Sequence, residues 1–241
     1  MSDDTSKTHS HRSKTSCDDS SYMEGDSRML KCATSLWSAD LANLATDMKR
    51  VERYSERFHI DVVDGHYAQN LLFFPDMVKS LRPYTTRPFE VHLMVTEPGV
   101  WAEPFIDSGA DIIICALDSM DDPAEIIRKV KSRGKKMGIA LSLDETVDEL
   151  ESYWDHLDVV TICGTQIGIK GAMMDDVVPE KIRRAREVIR KRGLTTEIEA
   201  DGGIRRTTVP LIQEAGADYI VPGSLMFGES AEEMRQWLAT L

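Results

Sequence analysis

From Lys31 onward, short apolar runs alternate with longer stretches whose apolar residues recur every three or four positions. The short runs are KCATS (31–35), RFHID (57–61), PFEVHL (88–93), ADIIIC (110–115), KMGIAL (136–141), LDVVTIC (157–163), TEIEA (196–200) and DYIVP (218–222). Their β-branched content and length predict buried strands. Between them the spacing predicts helices: one from Ser38 or Asp40, either of which can cap it, with Leu41, Leu44, Met48 and Val51 on one face, then others over 75–81, 99–108, 123–133, 146–153, 179–191, 207–215 and 231–240. Glycine punctuates the helix-to-strand links in DSGADIII, KSRGKKMGI and EAGADYIV, where a left-handed helix end turns straight into a strand. Eight strand–helix units predict an α/β fold, a single (β/α)8 TIM barrel over 30–241, with its active site at the C-terminal ends of the strands. A doubly wound sheet is the competing architecture, but no GxGxxG turn follows the first strand.

Composition narrows this further. Residues 1–29 are rich in Ser, Asp, Thr and Lys and poor in large aliphatics, which predicts a disordered tail, with His9 and His11 read as ordinary polar residues. The tail has neither the apolar core of a signal peptide nor the acid-poor character of a transit peptide. A net charge of -12 argues against nucleic acid or an anionic membrane as partner, and no apolar stretch approaches the ~20 residues of a bilayer span. Cys17, Cys32, Cys115 and Cys163 show no CxxC spacing, which fits a reducing, cytoplasmic setting, and Cys115 and Cys163 read as core residues. Trp37 reads as a neighbour of the site, while Trp101, Trp154 and Trp237 read as packing residues on outer helices.

Candidate chemistry sits at the strand ends. His59 and Asp61 are two apart on the second strand, so both side chains share one face. His92 ends the third strand and Asp201 follows the seventh, so all four can converge inside a barrel. Two imidazoles and two carboxylates suit one divalent ion of the Zn, Fe, Mn or Co type. Glycines in DGG (201–203) and PGS (222–224) follow the last two strands, where such barrels cradle a phosphate on backbone N–H groups. The loop GTQIGIKGA (164–172), with Gly168 and Gly171, can close over the same group.

From about Ala33 to Ser230 the chain resembles the ribulose-phosphate 3-epimerase family, in ATSLWSADLANL, FHIDVVDGH with Asn70, VHLMV, SGADIII, DGGI, EAGADYIVPGS and Phe227. The resemblance implies a metal-dependent 3-epimerase of a ketose phosphate: D-ribulose 5-phosphate or a related tetrulose, pentulose or hexulose phosphate. It implies metal ligation by His59, Asp61, His92 and Asp201, with Asp61 and Asp201 as the acid/base pair working through an enediolate. Ser35 and Met94 would line the site; Gly202, Gly203, Gly223 and Ser224 would hold the phosphate; a homo-oligomer is expected. The chain departs from the family at Val63 and Cys163, where methionines are usual, at QIGIKGA, at Ala116 and Asp118, and at Ser142-Leu143. These changes touch the substrate-facing rim and point to a sugar other than D-ribulose 5-phosphate; Lys170 in the altered loop is placed to meet phosphate or solvent. Two rival readings are a non-catalytic phosphosugar-binding barrel and a decarboxylase or aldolase-type barrel. The first has no need of both aspartates, and the second needs Asp-x-Lys-x-x-Asp where this chain has Asp61-Val62-Val63-Asp64.

Overall fold

The computed structural model describes residues 29–228 and 230–241, so all of the expected 1–29 tail except Met29 lies outside the described residues. Eight parallel strands close into a barrel: β1 (Lys31–Ser35), β2 (Arg57–Asp64), β4 (Phe89–Met94), β5 (Ile112–Ala116), β6 (Lys136–Leu141), β7 (Val159–Cys163), β8 (Glu197–Asp201) and β9 (Tyr219–Val221). Pairing of β1 with β2 makes the closure, so the barrel strands leave no unpaired edge. A two-residue strand, β3 (Leu71–Leu72), runs antiparallel to the end of β2 and was not foreshadowed by any periodicity.

Outside the barrel lie α1 (Leu44–Val51), α2 (Pro75–Leu81), α3 (Pro98–Asp107), α4 (Pro123–Ser132), α5 (Val178–Arg192), α6 (Val209–Ala215), the single turn α7 (Ser224–Phe227) and α8 (Ala231–Leu238). Their apolar faces pack on the outward residues of the strands, Phe58, Ile60, Val91, Ile113, Ile139 and Val160 among them, in one continuous core. The three expected link glycines, Gly109, Gly134 and Gly216, all adopt positive φ, and Gly193, which had not been singled out, caps α5 in the same way.

Two expected helices are corrected. The first starts at Leu44, not at Ser38 or Asp40, because Leu36–Ser38 forms a 3₁₀ turn and the Asp40 carboxylate bonds back to Ala42 N–H and the Asn43 amide. Leu41, expected on the buried face, is 54 % exposed. Over 146–153 there is a 3₁₀ turn, Val147–Leu150, closed by a Thr146/Glu149 capping box. Its buried anchors, Val147 and Leu150, are three apart, the spacing that eclipses on a 3₁₀ turn. Trp154 packs in the core as expected, but from a further 3₁₀ turn and not from a helix, while Trp101 lies on α3 as expected but is exposed.

Asp64 ties the end of β2 to the loop after β4. Its carboxylate accepts from the N–H of His66 and Tyr67 and from both N–H and Oγ1 of Thr96. Partial burial works against its charge, but these four donors outweigh it and hold the pKa down at about 2. A depressed carboxyl contributes stability that is present above its unfolded value near 4 and is lost as pH falls through about 2. Asp64→Asn is therefore expected to cost about 1 kcal/mol at pH 7, discounted because the group meets solvent. Chemical denaturation from pH 7 down to 2 checks it: the gap between the two proteins should narrow as the pH falls.

Candidate active site

The barrel interior is built in layers because residues two apart on a strand point the same way. On the β5–β7 side the inward residues are mostly apolar, Ile112, Ile114, Ala140, Val159 and Cys163, with Thr161 among them donating to Glu199. On the opposite side they are polar or charged: Arg57, His59 and Asp61 on β2, Glu90 and His92 on β4, and Glu197, Glu199 and Asp201 on β8. Asp61 stands beside His92 in register, and Cys163 beside Asp201.

The top layer gathers the four expected donors. One ligand atom from each of His59, Asp61, His92 and Asp201 lies within 4.8 Å of all the others. His59 Nε2 is 3.4 Å from Asp61 Oδ1 and 3.8 Å from Asp201 Oδ2, and His92 Nδ1 is 3.5 Å from Asp201 Oδ2. His59 Nε2 and both ring nitrogens of His92 are buried and have no hydrogen-bond partner among the described residues. Orphaned polar atoms are costly to bury, and two of these, His59 Nε2 and His92 Nδ1, face carboxylates in a way that fits a divalent ion bound between them. Burial opposes charge on His59, but Asp61, Glu90 and Asp201 outweigh it and raise its pKa well above the usual imidazole range. Burial likewise opposes charge on Asp61, yet the two imidazoles and the Ser35 hydroxyl hold its carboxyl below the usual range.

Ser35, expected to line the site, does so and also donates from Oγ to Asp61 Oδ2 at 2.7 Å, fixing that carboxylate's rotamer. Asp61, His92 and Asp201 line a cavity of about 170 Å³, with His59 behind them, and Met94, Cys163, Gly168, Gly171, Gly202, Gly203, Gly223 and Ser224 also reach it. Gly203 (φ +68°) packs so closely on Met174 that any Cβ would overlap its backbone, so this turn admits only glycine there. The 164–172 loop folds across the mouth, where Lys170 Nζ donates to Trp37 O at 2.8 Å. Trp37 borders the cavity, whereas His66, Ala116, Asp118, Ser142 and Leu143 do not. Asp118 instead accepts from the Tyr67 hydroxyl, and the carbonyls of Ser142 and Leu143 accept from Lys181. Cys115 and Cys163 are free and buried; burial pushes the Cys115 thiol up to about 12, and burial with Asp201 and Glu145 raises Cys163 well above the usual thiol range, so neither is an activated nucleophile.

The charges below the metal-capable layer had not been expected. Arg57 is 2 % exposed and binds Glu90, Glu197 and Glu199. Burial and the neighbouring Glu90 push Glu199 up to about 7, whereas Glu90, despite burial, is held below its usual value chiefly by Arg57. The signal was present in sequence, since the His59–Asp61 period extends back to Arg57 and the same period joins Glu90 to His92 and Glu199 to Asp201. Arg205, also absent from the expected set, borders the cavity, and its guanidinium donates to the carbonyls of Ile204 and Gly171.

The chain is similar to several known proteins. Residues 31–227 match the model of the ribulose-phosphate 3-epimerase family. Ribulose-phosphate 3-epimerase of Bacillus subtilis is 35 % identical over 204 residues, covering 84 % of this chain and 94 % of the relative. The Chlamydia pneumoniae enzyme of the same name is 36 % identical over 196 residues, covering 80 % and 86 %. Among solved structures, 3-keto-L-gulonate-6-phosphate decarboxylase from Vibrio cholerae superposes with a TM-score of 0.66 at 13 % identity, over 89 % of this chain and 96 % of that one. Orotidine 5'-phosphate decarboxylase from Pyrococcus horikoshii gives 0.60 at 16 %, over 86 % and 96 %. At such identities these two attest the barrel alone.

Proposed function

The chain belongs to the ribulose-phosphate 3-epimerase family of phosphosugar isomerases, and on that premise we propose that it inverts C3 of a ketose phosphate by a two-base proton transfer between Asp61 and Asp201. The observation that carries the reading is the convergence of His59, Asp61, His92 and Asp201 around orphaned imidazole nitrogens. These four would hold a divalent ion of the Zn, Fe, Mn or Co type, which when bound supplies a Lewis acid for the substrate's carbonyl and C3 hydroxyl oxygens.

The residues themselves account for the proton movements. β8 and β2 stand three places apart around the eight-stranded ring, separated by β9 and β1, so their aspartates approach a substrate between them from different sides. One carboxylate takes the C3 proton, and the other delivers a proton to the opposite face. Ser35 holds Asp61 on line for this, donating to the oxygen that does not face His59. Burial of His59, Asp61 and His92 keeps bulk water from the reacting carbon.

At the other end of the cavity, Gly202, Gly203, Gly223 and Ser224 would receive the phosphate on backbone N–H groups and a hydroxyl. The loop carrying Gly168 and Gly171 would cover it, with Lys170 giving up its carbonyl partner for a phosphate oxygen. Lys170→Ala is then expected to raise KM about tenfold with kcat little changed, the loss of one charge-assisted hydrogen bond to the phosphate. Initial rates against substrate concentration check this, and an unchanged KM would leave Lys170 as a loop latch only.

A homo-oligomer in a reducing cytoplasm fits the same reading. Leu41, Leu71 and Phe74 expose apolar surface around a shallow hollow beside α1 and β3, and Cys32, Cys115 and Cys163 are free thiols. The test of function is a panel of four- to six-carbon ketose phosphates offered to the metal-reconstituted protein. Appearance of the C3 epimer of at least one supports the proposal; tight binding of a ketose phosphate with no turnover would replace it with a binding role.

A further inference from the structure

Beneath the four donors, the side chains of Arg57 and Glu90 do something that neither proton transfer nor phosphate binding requires. Arg57 Nε lies 2.8 Å from Glu90 Oε2, its Nη2 donates to Glu199 Oε2 at 2.6 Å, and its Nη1 donates to Glu197 Oε2 at 3.0 Å. The guanidinium also stacks 3.7 Å from the Tyr219 ring centroid, which fixes its plane. Glu90 thus has one oxygen on Arg57 and the other, Oε1, 2.8 Å from His59 Nδ1. We infer that Arg57 and Glu90 are positioning residues for metal binding: together they keep the proton of His59 on Nδ1 and so present Nε2 as a bare lone pair to the ion.

The step follows from donor and acceptor chemistry. A carboxylate kept ionised by a neighbouring guanidinium is an acceptor only, so the ring nitrogen facing it must carry a hydrogen. A neutral imidazole protonated at Nδ1 leaves Nε2 as the acceptor, and Nε2 is the buried, unpartnered atom that faces Asp61 and Asp201. His92 has no such support, since neither of its ring nitrogens has a hydrogen-bond partner among the described residues. The two imidazoles are therefore unequal: His59 is fixed in advance, and His92 is oriented by packing.

Two other roles for this layer are weaker. His59, Glu90 and Glu199 lie close enough to hold a second ion, but Arg57 already supplies positive charge to both glutamates. Simple neutralisation of Arg57 does not need Glu90, because Glu197 and Glu199 also bind it, and it does not explain why Oε1 turns to His59.

This inference rests on the proposed metal site, and its test separates the two. Zn²⁺ affinity of the full chain would be measured by competition with a chromophoric chelator for the wild type, Glu90→Gln, Arg57→Lys and Glu197→Gln. Glu90→Gln is expected to weaken Zn²⁺ binding about 10- to 100-fold, because its amide can donate to Nδ1 and so favour the wrong tautomer. Arg57→Lys, which cannot grip Glu90 and Glu199 in the same fork, should weaken it in the same direction and serves if Glu90→Gln does not fold. Glu197→Gln, which alters Arg57's surroundings without touching His59, should bind Zn²⁺ within about twofold of wild type. A tight wild type with unaffected Glu90→Gln and Arg57→Lys proteins would overturn the inference alone. A wild type that binds no divalent ion would overturn the metal reading, and this inference with it.

Discussion

Asp61→Asn and Asp201→Asn are each expected to lower kcat for epimerisation by about 10²- to 10⁴-fold, the range lost when a positioned acid or base is removed. The amide is close in size to the carboxylate and keeps an oxygen for the ion, so the change falls mainly on proton transfer. Asp61 is the more demanding position, because its second oxygen is committed to Ser35 at 2.7 Å and an amide nitrogen turned that way would meet a donor. Metal content must be measured beside the rate, since both residues belong to the donor set. A variant that loads fully and still epimerises at the wild-type rate would remove that aspartate from the chemistry.

Arg57→Met is expected to cost about 3–5 kcal/mol of folding stability, the largest structural effect predicted, because one partner of a buried charge network is removed while the others stay. Glu90 and Glu199 are fully buried, and without Arg57 their charges face each other with only His59 to offset them. Equilibrium denaturation at neutral pH checks the figure. Replacing Arg57, Glu90 and Glu199 together by apolar residues of similar volume should cost far less, which would separate the penalty of an orphaned charge from the worth of the network.

Much of the barrel was legible because its eight strands are apolar runs flanked by glycine turns and amphipathic helices, and these local preferences agree with the fold they build. The metal-capable set was legible for a related reason. Period-2 spacing placed His59 and Asp61 on one face, and the barrel brought His92 and Asp201 to them. Stopping that period at His59 hid Arg57, Glu90 and Glu199, although a charged residue two positions before a ligand, in an otherwise apolar strand, was the available sign. The elements that surprised have no long period to read. β3 is two residues long, and Leu36–Ser38 and Val147–Leu150 are single 3₁₀ turns set by packing and by side-chain bonds to the backbone. Leu41 shows the same limit, since it lies in phase with Leu44 and Met48 yet precedes the helix and stays exposed.

Two opposed bases make a claim about individual protons that can be tested directly. The C3 epimers of a turned-over ketose phosphate would be incubated separately in D₂O with metal-loaded Asp61→Asn and Asp201→Asn proteins, and deuterium at C3 followed by NMR. Each variant retains one base, so each is expected to exchange the C3 proton of one epimer only, the two variants choosing opposite epimers, with little interconversion. Exchange of both epimers by either single variant would contradict the two-base account, as would wild-type epimerisation without solvent deuterium entering C3.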